Sequence, residues 1–205
     1  MIELKRSGVA FDEERHIYSL NGKRLMGITK LIHAALGLGY GDDAPDIVKD
    51  FYIPRAGEYG SAIHKAIENF SEFGIRVTRF PKSERFQGEF PDLEWNVERE
   101  LETYIKHLDA GGFQQVDCEY NVTDGERYSS NIDNVWISDG EIWLVDTKSN
   151  NLKYYPGGKG ALREYLSWQL SSYAYLFESQ NPLLKVAGLA CNWLSGEEGE
   201  FWIIS

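Results

Sequence analysis

The feature that most constrains the fold of this chain is a change in hydrophobic period after Gly112. In the helical segments from Gly60 to this residue, apolar side chains recur at a three- and four-residue spacing; directly after it they alternate with polar ones, as in strands. Three strand-like segments follow, at 114–122, 128–137 and 141–149, separated by the turn sequences TDGE and SDG. Short turns of this kind join antiparallel neighbours, so the sequence predicts a three-stranded meander.

The segments around the meander predict a mixed sheet with helices packed on it. A helical pattern at about 162–178 follows the third strand and leads to a fourth apolar segment at about 184–194. A helical crossover of this kind implies that the fourth strand runs parallel to the third. Before the meander, one helix is predicted from Gly60 to Gly74 and a second from Leu93 to Asp109, joined by the polar connection FPKSERFQGEFPD. A short edge strand, GEFWIIS, is predicted at the end. The predicted fold class is α/β, with a core in the order αβββαβ.

The N-terminal residues are predicted to add a β-hairpin and a helix to this core. Alternating apolar and polar residues flank Asn21 and Gly22, which are typical of a two-residue hairpin turn. Thr29 follows and is predicted to cap a short helix. A chain of 205 residues suits one domain, so we predict a single domain over 1–205 in which 1–50 form an appendage.

Composition and charge exclude several classes of protein. A hydrophobic fraction of 42% excludes global disorder. Cys118 and Cys191 lie in apolar strand-like segments, which predicts reduced core thiols rather than a disulfide framework or a metal–cysteine cluster. Because we find no signal peptide and no membrane-spanning stretch, we expect a cytoplasmic protein without membrane contact. The net charge of -11 argues weakly against extensive phosphate contacts, although carboxylates that hold cations also count in that sum.

The strand at 141–149 ends in charged residues where its apolar face should continue. Side chains alternate between the two faces of a strand, so Asp146 and Lys148 share the face of Leu144. Regular pairing across the preceding turn would bring Asp133 of the middle strand close to both. Two carboxylates and an amine at strand ends suit Mg²⁺ or Mn²⁺, which prefer oxygen ligands. The alternative is an ordinary ion pair on an exposed strand.

These residues belong to a set of motifs that resembles the PD-(D/E)xK nuclease superfamily in its RecB-like, phage-exonuclease-like branch. The resemblance spans roughly residues 55 to 200. The motifs, in the order of that branch, are GSAIH with Gly60 and His64, NID with Asp133, VDTK with Asp146 and Lys148, and QLSSY with Gln169 and Tyr173. Each motif is weak alone, but four in this order on matching predicted elements are specific. The family's proline before the acid is absent, and Ser130 replaces a frequent glycine.

The resemblance implies a restriction-endonuclease-like fold and a metal-dependent DNA nuclease. The implied activity is that of an exonuclease in recombination or end-processing of a phage or other mobile element, with Mg²⁺ or Mn²⁺ as cofactor. The partners it implies are DNA and a recombination protein. The catalytic residues it implies are Asp133, Asp146, Lys148, Gln169 and Tyr173. The metal ligands it implies are His64, Asp133, Asp146 and the backbone carbonyl of Thr147, with Glu119 as a second-metal or outer ligand. In that branch the glutamine and tyrosine orient the lysine and contact DNA.

The segment KYYPGGKGALR is the best candidate for a DNA-contacting strip outside these motifs. Basic side chains engage phosphates, and tyrosines can stack on unpaired bases. Its candidate residues are Lys153, Tyr154, Tyr155, Lys159 and Arg163. The alternative is a surface loop without a role in binding. The Gly-Gly-Lys-Gly sequence lacks the spacing and context of a phosphate-binding P-loop.

Two other functions remain open from the sequence. The fold could serve as a DNA- or protein-binding module without catalysis, although such a module has no use for His64, Asp133, Asp146 and Lys148 together. A phosphodiesterase acting on small nucleotides would fit the acidic composition better. The oligomeric state is not predicted.

Overall fold

The computed structural model describes residues 2–12, 15–36, 45–87, 93–149, 151–152, 155, 157–195 and 199–204. Its strands are β1 (Ala10–Asp12), β2 (Ile17–Leu20), β3 (Lys23–Gly27), β4 (Arg79–Pro81), β5 (Glu94–Asn96), β6 (Gln114–Thr123), β7 (Tyr128–Ser138), β8 (Glu141–Lys148), β9 (Val186–Trp193) and β10 (Glu200–Ile204). Its helices are α1 (Ile28–Leu36), α2 (Ile53–Phe73), α3 (Glu84–Gln87), α4 (Glu98–Ala110) and α5 (Gly158–Gln180). A π-helical turn, Val48–Tyr52, leads directly into α2.

The central sheet confirms the predicted meander and crossover. β6 pairs antiparallel with β7, and β7 pairs antiparallel with β8. Helix α5 then crosses to β9, which runs parallel to β8, and β10 adds an antiparallel edge strand. The fold is therefore a mixed α/β fold of the restriction-endonuclease-like type, with the order αβββαβ in its core.

The N-terminal hairpin joins the same sheet. Asn21 and Gly22 both have positive φ, at 51° and 79°, as a type I′ hairpin turn requires. Strand β3 then pairs in parallel with the start of β7, at Met26 and Tyr128. The predicted cap at Thr29 is wrong, because β3 leads straight into α1 and Thr29 already lies within the helix.

The region before α4 differs from the prediction. The helix expected from residue 93 begins at Glu98, and 94–96 instead form β5, which pairs with β4 in the expected polar connection. Tertiary contacts explain the difference: Trp95 is only 5% exposed and donates its indole N–H to Glu58 at 2.8 Å. Burial of the indole against α2 outweighs the local helical pattern. Helix α2 also begins at Ile53, earlier than the predicted start at Gly60.

The sheet is covered on both faces. Helices α1 and α5 pack on one face, where Leu144 and Leu170 belong to the core, and α2 and α4 pack on the other, where Val145 and Leu101 do. Leu144 and Val145 are sequence neighbours, so β8 is buried on both sides as strand alternation requires. Both cysteines are free thiols. None of the helices that the structure describes is long and apolar enough to cross a membrane.

Candidate active site at the end of the central sheet

Three carboxylates lie at one level of the sheet on three neighbouring strands. The last registered pair of β7 and β8 is Asn134 with Val145, so Asp133 and Asp146 come next, side by side. On its other side Asp133 lies across from Glu119 of β6, between two registered pairs. Strand pairing thus brings together three acids that are far apart in sequence.

The β7–β8 ladder ends at this level, and a carboxylate takes the place of a backbone acceptor. The amide N–H of Thr147 donates to Oδ2 of Asp133 at 2.7 Å. In a strand the N–H and C=O of one residue point to the same neighbour, so the carbonyl of Thr147 also faces β7. The separation of the two strands therefore leaves this carbonyl turned toward the acids.

Glu119 has a backbone conformation that is unusual for its residue type. Its φ is 51°, in the left-handed region, where a non-glycine residue costs on the order of 1–3 kcal/mol. The alternation of β6 is broken here, because Cys118 packs against the α2–α4 core whereas Tyr120 belongs to the α1–α5 core. Such strain concentrates at functional sites, and here it turns an acidic side chain toward the end of the sheet.

Helix α2 brings His64 to these acids. Its Nδ1 lies 3.3 Å from Oε1 of Glu119, and its Nε2 lies 3.9 Å from Oδ2 of Asp133. Gly60, one turn earlier, approaches the end of β8: a Cβ at this position would lie 3.6 Å from Oγ of Ser149. The helix therefore crosses the strand ends, and one potential ligand atom from each of His64, Glu119 and Asp133 lies within 4.8 Å of the others.

The electrostatics of this cluster show crowded negative charge. Burial raises the pKa of Asp133 and raises the pKa of Asp146 to about 6, with repulsion between the carboxylates adding to the effect. Burial alone would lower the pKa of His64, but Asp133 and Glu119 outweigh it and raise this pKa to about 9. A divalent cation would relieve the repulsion, so this donor set of oxygens and one imidazole fits a metal ion.

Asp146 is held by a second group of side chains. Lys148 Nζ lies 2.5 Å from its Oδ2, and Nε2 of Gln169 donates to its Oδ1 at 2.9 Å. Gln169 also donates to the hydroxyl of Tyr173 at 2.7 Å. Gln169 on α5 therefore contacts Asp146 directly, and Tyr173, one turn later on the same helix, contacts Gln169.

Lys148 is a cation at neutral pH. Burial would lower its pKa, but the carboxylates of Asp146 and Asp133 outweigh burial and raise it well above the ordinary value. Its side chain remains 24% exposed, whereas that of Asp146 is 1% exposed. Lys148 thus presents a positive charge at the surface of a site that is rich in carboxylates.

Two residues of the site carry no sequence signal for it. Tyr18 of β2 is buried beside the acids: burial, together with the charges of Glu119 and Asp133, raises its pKa to about 12, although a hydrogen bond with Ser130 opposes the shift. Ser130 is also hydrogen-bonded to Tyr173. The serine that replaces the family's frequent glycine therefore connects the N-terminal hairpin to α5. Tyr18 sits in an alternating strand, so sequence alone marks it only as a core residue.

The predicted DNA strip is only partly described. Lys153 and Tyr154 lie outside the described residues, and Tyr155 packs against the α1–α5 core. Lys159 forms an ion pair with Glu200 and lies 4.6 Å from the ring centre of Trp202. Arg163 donates to the carbonyl of Ile203 at 2.7 Å. In this structure both cations lie along β10, two strands from Lys148.

A mixed αβββαβ sheet with acids and a lysine at the ends of its middle strands is the architecture of a restriction-endonuclease-like nuclease. Residues 34–194 match the family model of the PD-(D/E)XK nuclease superfamily, and the chain belongs to this superfamily. The RecB-like branch is consistent with that family. No curated protein matches the chain closely enough to add a named relative. Membership indicates a nuclease acting on nucleic acid, and such enzymes usually use divalent metal ions.

Proposed function

We propose that this protein is a Mg²⁺- or Mn²⁺-dependent deoxyribonuclease, an exonuclease that acts in recombination or end-processing of phage or other mobile-element DNA. The observation that carries the proposal is the position of the Lys148 ammonium beside a crowded group of acids. Asp133 and Asp146 lie side by side, and Glu119 and His64 face Asp133 from β6 and α2. In this proposal the enzyme works in the cytoplasm of the host cell, with DNA and a recombination protein as partners.

The metal would be held by His64, Glu119 and Asp133, with Asp146 and the carbonyl of Thr147 completing the proposed set. Carboxylate oxygens suit Mg²⁺ and Mn²⁺. When bound, such an ion neutralises phosphate charge and lowers the pKa of a bound water. The choice of metal follows from the three carboxylates, since a single imidazole among them does not favour a softer ion.

The remaining site residues orient the carboxylate of Asp146 and stabilise charge that develops on the substrate. Gln169 holds one oxygen of Asp146, and Tyr173 holds Gln169. In this proposal Lys148 stabilises charge that develops on the phosphate oxygens as the bond breaks. Beyond this centre we propose that DNA is contacted by Lys153, Tyr154, Tyr155, Lys159 and Arg163. The support for this contact is that their segment follows directly after the end of β8.

A comparison of substrates tests the proposed function. With Mg²⁺ or Mn²⁺ we expect digestion of linear duplex DNA from its ends and no cutting of closed circular duplex. Cutting of the circle would make the protein an endonuclease and overturn the exonuclease assignment. Metal binding without cleavage of duplex, single strand or a small phosphodiester would favour a binding module. Cleavage of the small phosphodiester alone would favour a small-nucleotide phosphodiesterase. The double variant Asp133→Asn with Asp146→Asn is the matched inactive control.

The affinity for Mn²⁺ is expected to rise with pH. The pKa of His64 is raised to about 9, so the metal-free ring is protonated at neutral pH, whereas a metal ligand must be neutral imidazole. Below this pKa, raising the pH by one unit lowers the competition from protons for the imidazole and strengthens Mn²⁺ binding by up to about tenfold. The Mn²⁺ affinity should therefore increase from about pH 7 to pH 8.5. This interval lies above the pKa of about 6 of Asp146.

Calorimetric titration with Mn²⁺ across that interval measures the effect. His64→Gln should bind more weakly and show little change with pH, because the competing proton is gone. An affinity that is the same at both ends of the interval in the wild type, or an equal increase in His64→Gln, would exclude His64 as a ligand.

A further inference from the structure

A buried polar network lies behind the candidate active site, on the face of the sheet opposite Asp146 and Lys148. Asn134 of β7 donates through Nδ2 to Oγ1 of Thr147 at 3.0 Å and to the carbonyl of Val145 at 3.3 Å. Its Oδ1 lies 2.9 Å from the hydroxyl of Tyr104 on α4. One amide therefore bridges β7 and β8 at their last registered pair, just before the strands separate.

The network extends to the third acidic strand. The hydroxyl of Tyr104 shares its one proton between Oδ1 of Asn134 and Oε1 of Gln115 on β6. The same Oε1 accepts the indole N–H of Trp136 at 2.7 Å. Nε2 of Gln115 donates at 2.6 Å to the carbonyl of Asp117, across the irregularity in the β6 register. Each of the three strands that carry an acid thus contributes one polar side chain, Gln115, Asn134 or Thr147.

The burial of this network indicates a role beyond filling space. Tyr104 is 0% exposed, Asn134 1% and Thr147 2%. Apolar side chains of similar size would fill the same volume without the cost of about 1–3 kcal/mol for each polar group that loses a partner. A satisfied polar network adds register specificity, since each member accepts only one arrangement of partners. A one-residue slip of β7 against β8 would turn Asp133 to the wrong face.

We propose that Asn134, held by Tyr104 and Gln115, is a positioning residue that sets the distance between Asp133 and Thr147 at the metal site. Asn134 directly follows Asp133, and Thr147 directly follows Asp146, so each polar residue is tied to an acid through one peptide unit. The amide of Asn134 joins the two strands on one face, while the carboxylate of Asp133 receives the N–H of Thr147 at the same level. The inference rests on the proposed nuclease function.

A pair of substitutions separates positioning from stability. Asn134→Leu leaves the hydroxyl of Thr147 buried without its donor, which should lower the melting temperature. Adding Thr147→Val removes this orphaned hydroxyl, while the hydroxyl of Tyr104 keeps Gln115 as its acceptor, so stability should recover in part. If the pair positions the site, Mn²⁺ affinity and kcat should fall about 10- to 100-fold in both the single and the double variant, with little change in KM for DNA.

Thr123→Val is the matched control. This buried threonine at the end of β6 donates its hydroxyl to the carbonyl of Tyr128 at 2.7 Å and accepts the N–H of Gly125 at 3.0 Å, outside the candidate site. Its loss should lower stability but leave Mn²⁺ affinity and kcat per folded molecule unchanged. Tyr104→Phe is the second test in case Asn134→Leu does not fold. It removes one hydroxyl without changing the ring, and it should lower Mn²⁺ affinity and kcat to a smaller degree than is expected for Asn134→Leu.

The outcomes distinguish this inference from the function on which it rests. A wild type that binds Mn²⁺ and cuts DNA, with network variants that match Thr123→Val in affinity and kcat, would overturn the inference alone. Recovery of kcat together with stability in the double variant would also overturn it. A wild type that binds no Mn²⁺ would overturn the proposed function and the inference with it.

Discussion

Replacing Lys148 with alanine is expected to slow DNA cleavage by about a hundredfold or more while metal binding is retained. The ammonium lies beside Asp146 before any reaction, and in the proposed mechanism it stabilises charge that develops on the phosphate. Removing such a preorganised charge lowers kcat more than it changes substrate affinity. An ammonium is no metal ligand, so its loss can only make the carboxylates more attractive to a cation.

The structural role of Lys148 has to be separated from catalysis, because its Nζ also neutralises the buried carboxylate of Asp146. Melting and Mn²⁺ titration of Lys148→Ala show whether the protein remains folded and binds metal. Lys185→Ala is the control, since Lys185 forms an ion pair of similar length, 2.6 Å to Glu178, on the exposed surface. A folded Lys148→Ala protein that digests DNA at nearly the wild-type rate would refute the catalytic assignment.

Replacing Asp133 with asparagine is expected to reduce cleavage on the order of a thousandfold. A divalent ion supplies several kcal/mol of transition-state stabilisation, and about 1.4 kcal/mol corresponds to a factor of ten in rate. The amide keeps the size of the side chain and an oxygen that can accept the N–H of Thr147, so the strands should stay in place. The loss should therefore come from the metal site rather than from the fold.

Melting in increasing Mn²⁺ gives a second measurement on the same variant. Binding to the folded state should raise the melting temperature of the wild type by mass action, and this rise should disappear in Asp133→Asn. Asp139→Asn is the control, because Asp139 lies in the hairpin turn at the other end of β8, where its φ of 52° also suits asparagine. No rise in the wild type, or an equal rise in Asp133→Asn, would exclude Asp133 as a ligand.

Much of the core could be predicted because its pattern is local. A period of two defines β6, β7 and β8, and a two-residue turn at Asp139 and Gly140 determines which residues face each other across β7 and β8. The pairing of Asp133 with Asp146 follows from that register by counting. The parallel placement of β9 follows from the helical crossover, whose handedness and length leave few alternatives.

The details of the site depend on contacts that no local pattern contains. The left-handed Glu119, the approach of Tyr18 to Ser130 and the link from Asn134 to Tyr104 each join segments that are distant in sequence. The start of α4 was missed for the same reason, because burial of Trp95 outweighed a helical spacing.

The sequence by itself determined the order of the core elements and the facing of β7 and β8, because period and turn type are properties of short segments. It also contained the motifs whose resemblance to the superfamily implied the acids, the lysine and the glutamine–tyrosine pair of the site. The tertiary structure decided how the acids are divided: Asp133 lies with His64 and Glu119, whereas Asp146 is held by Lys148 and Gln169. That division depends on where α2 and α5 cross the sheet, and their packing is set by side chains from the whole chain.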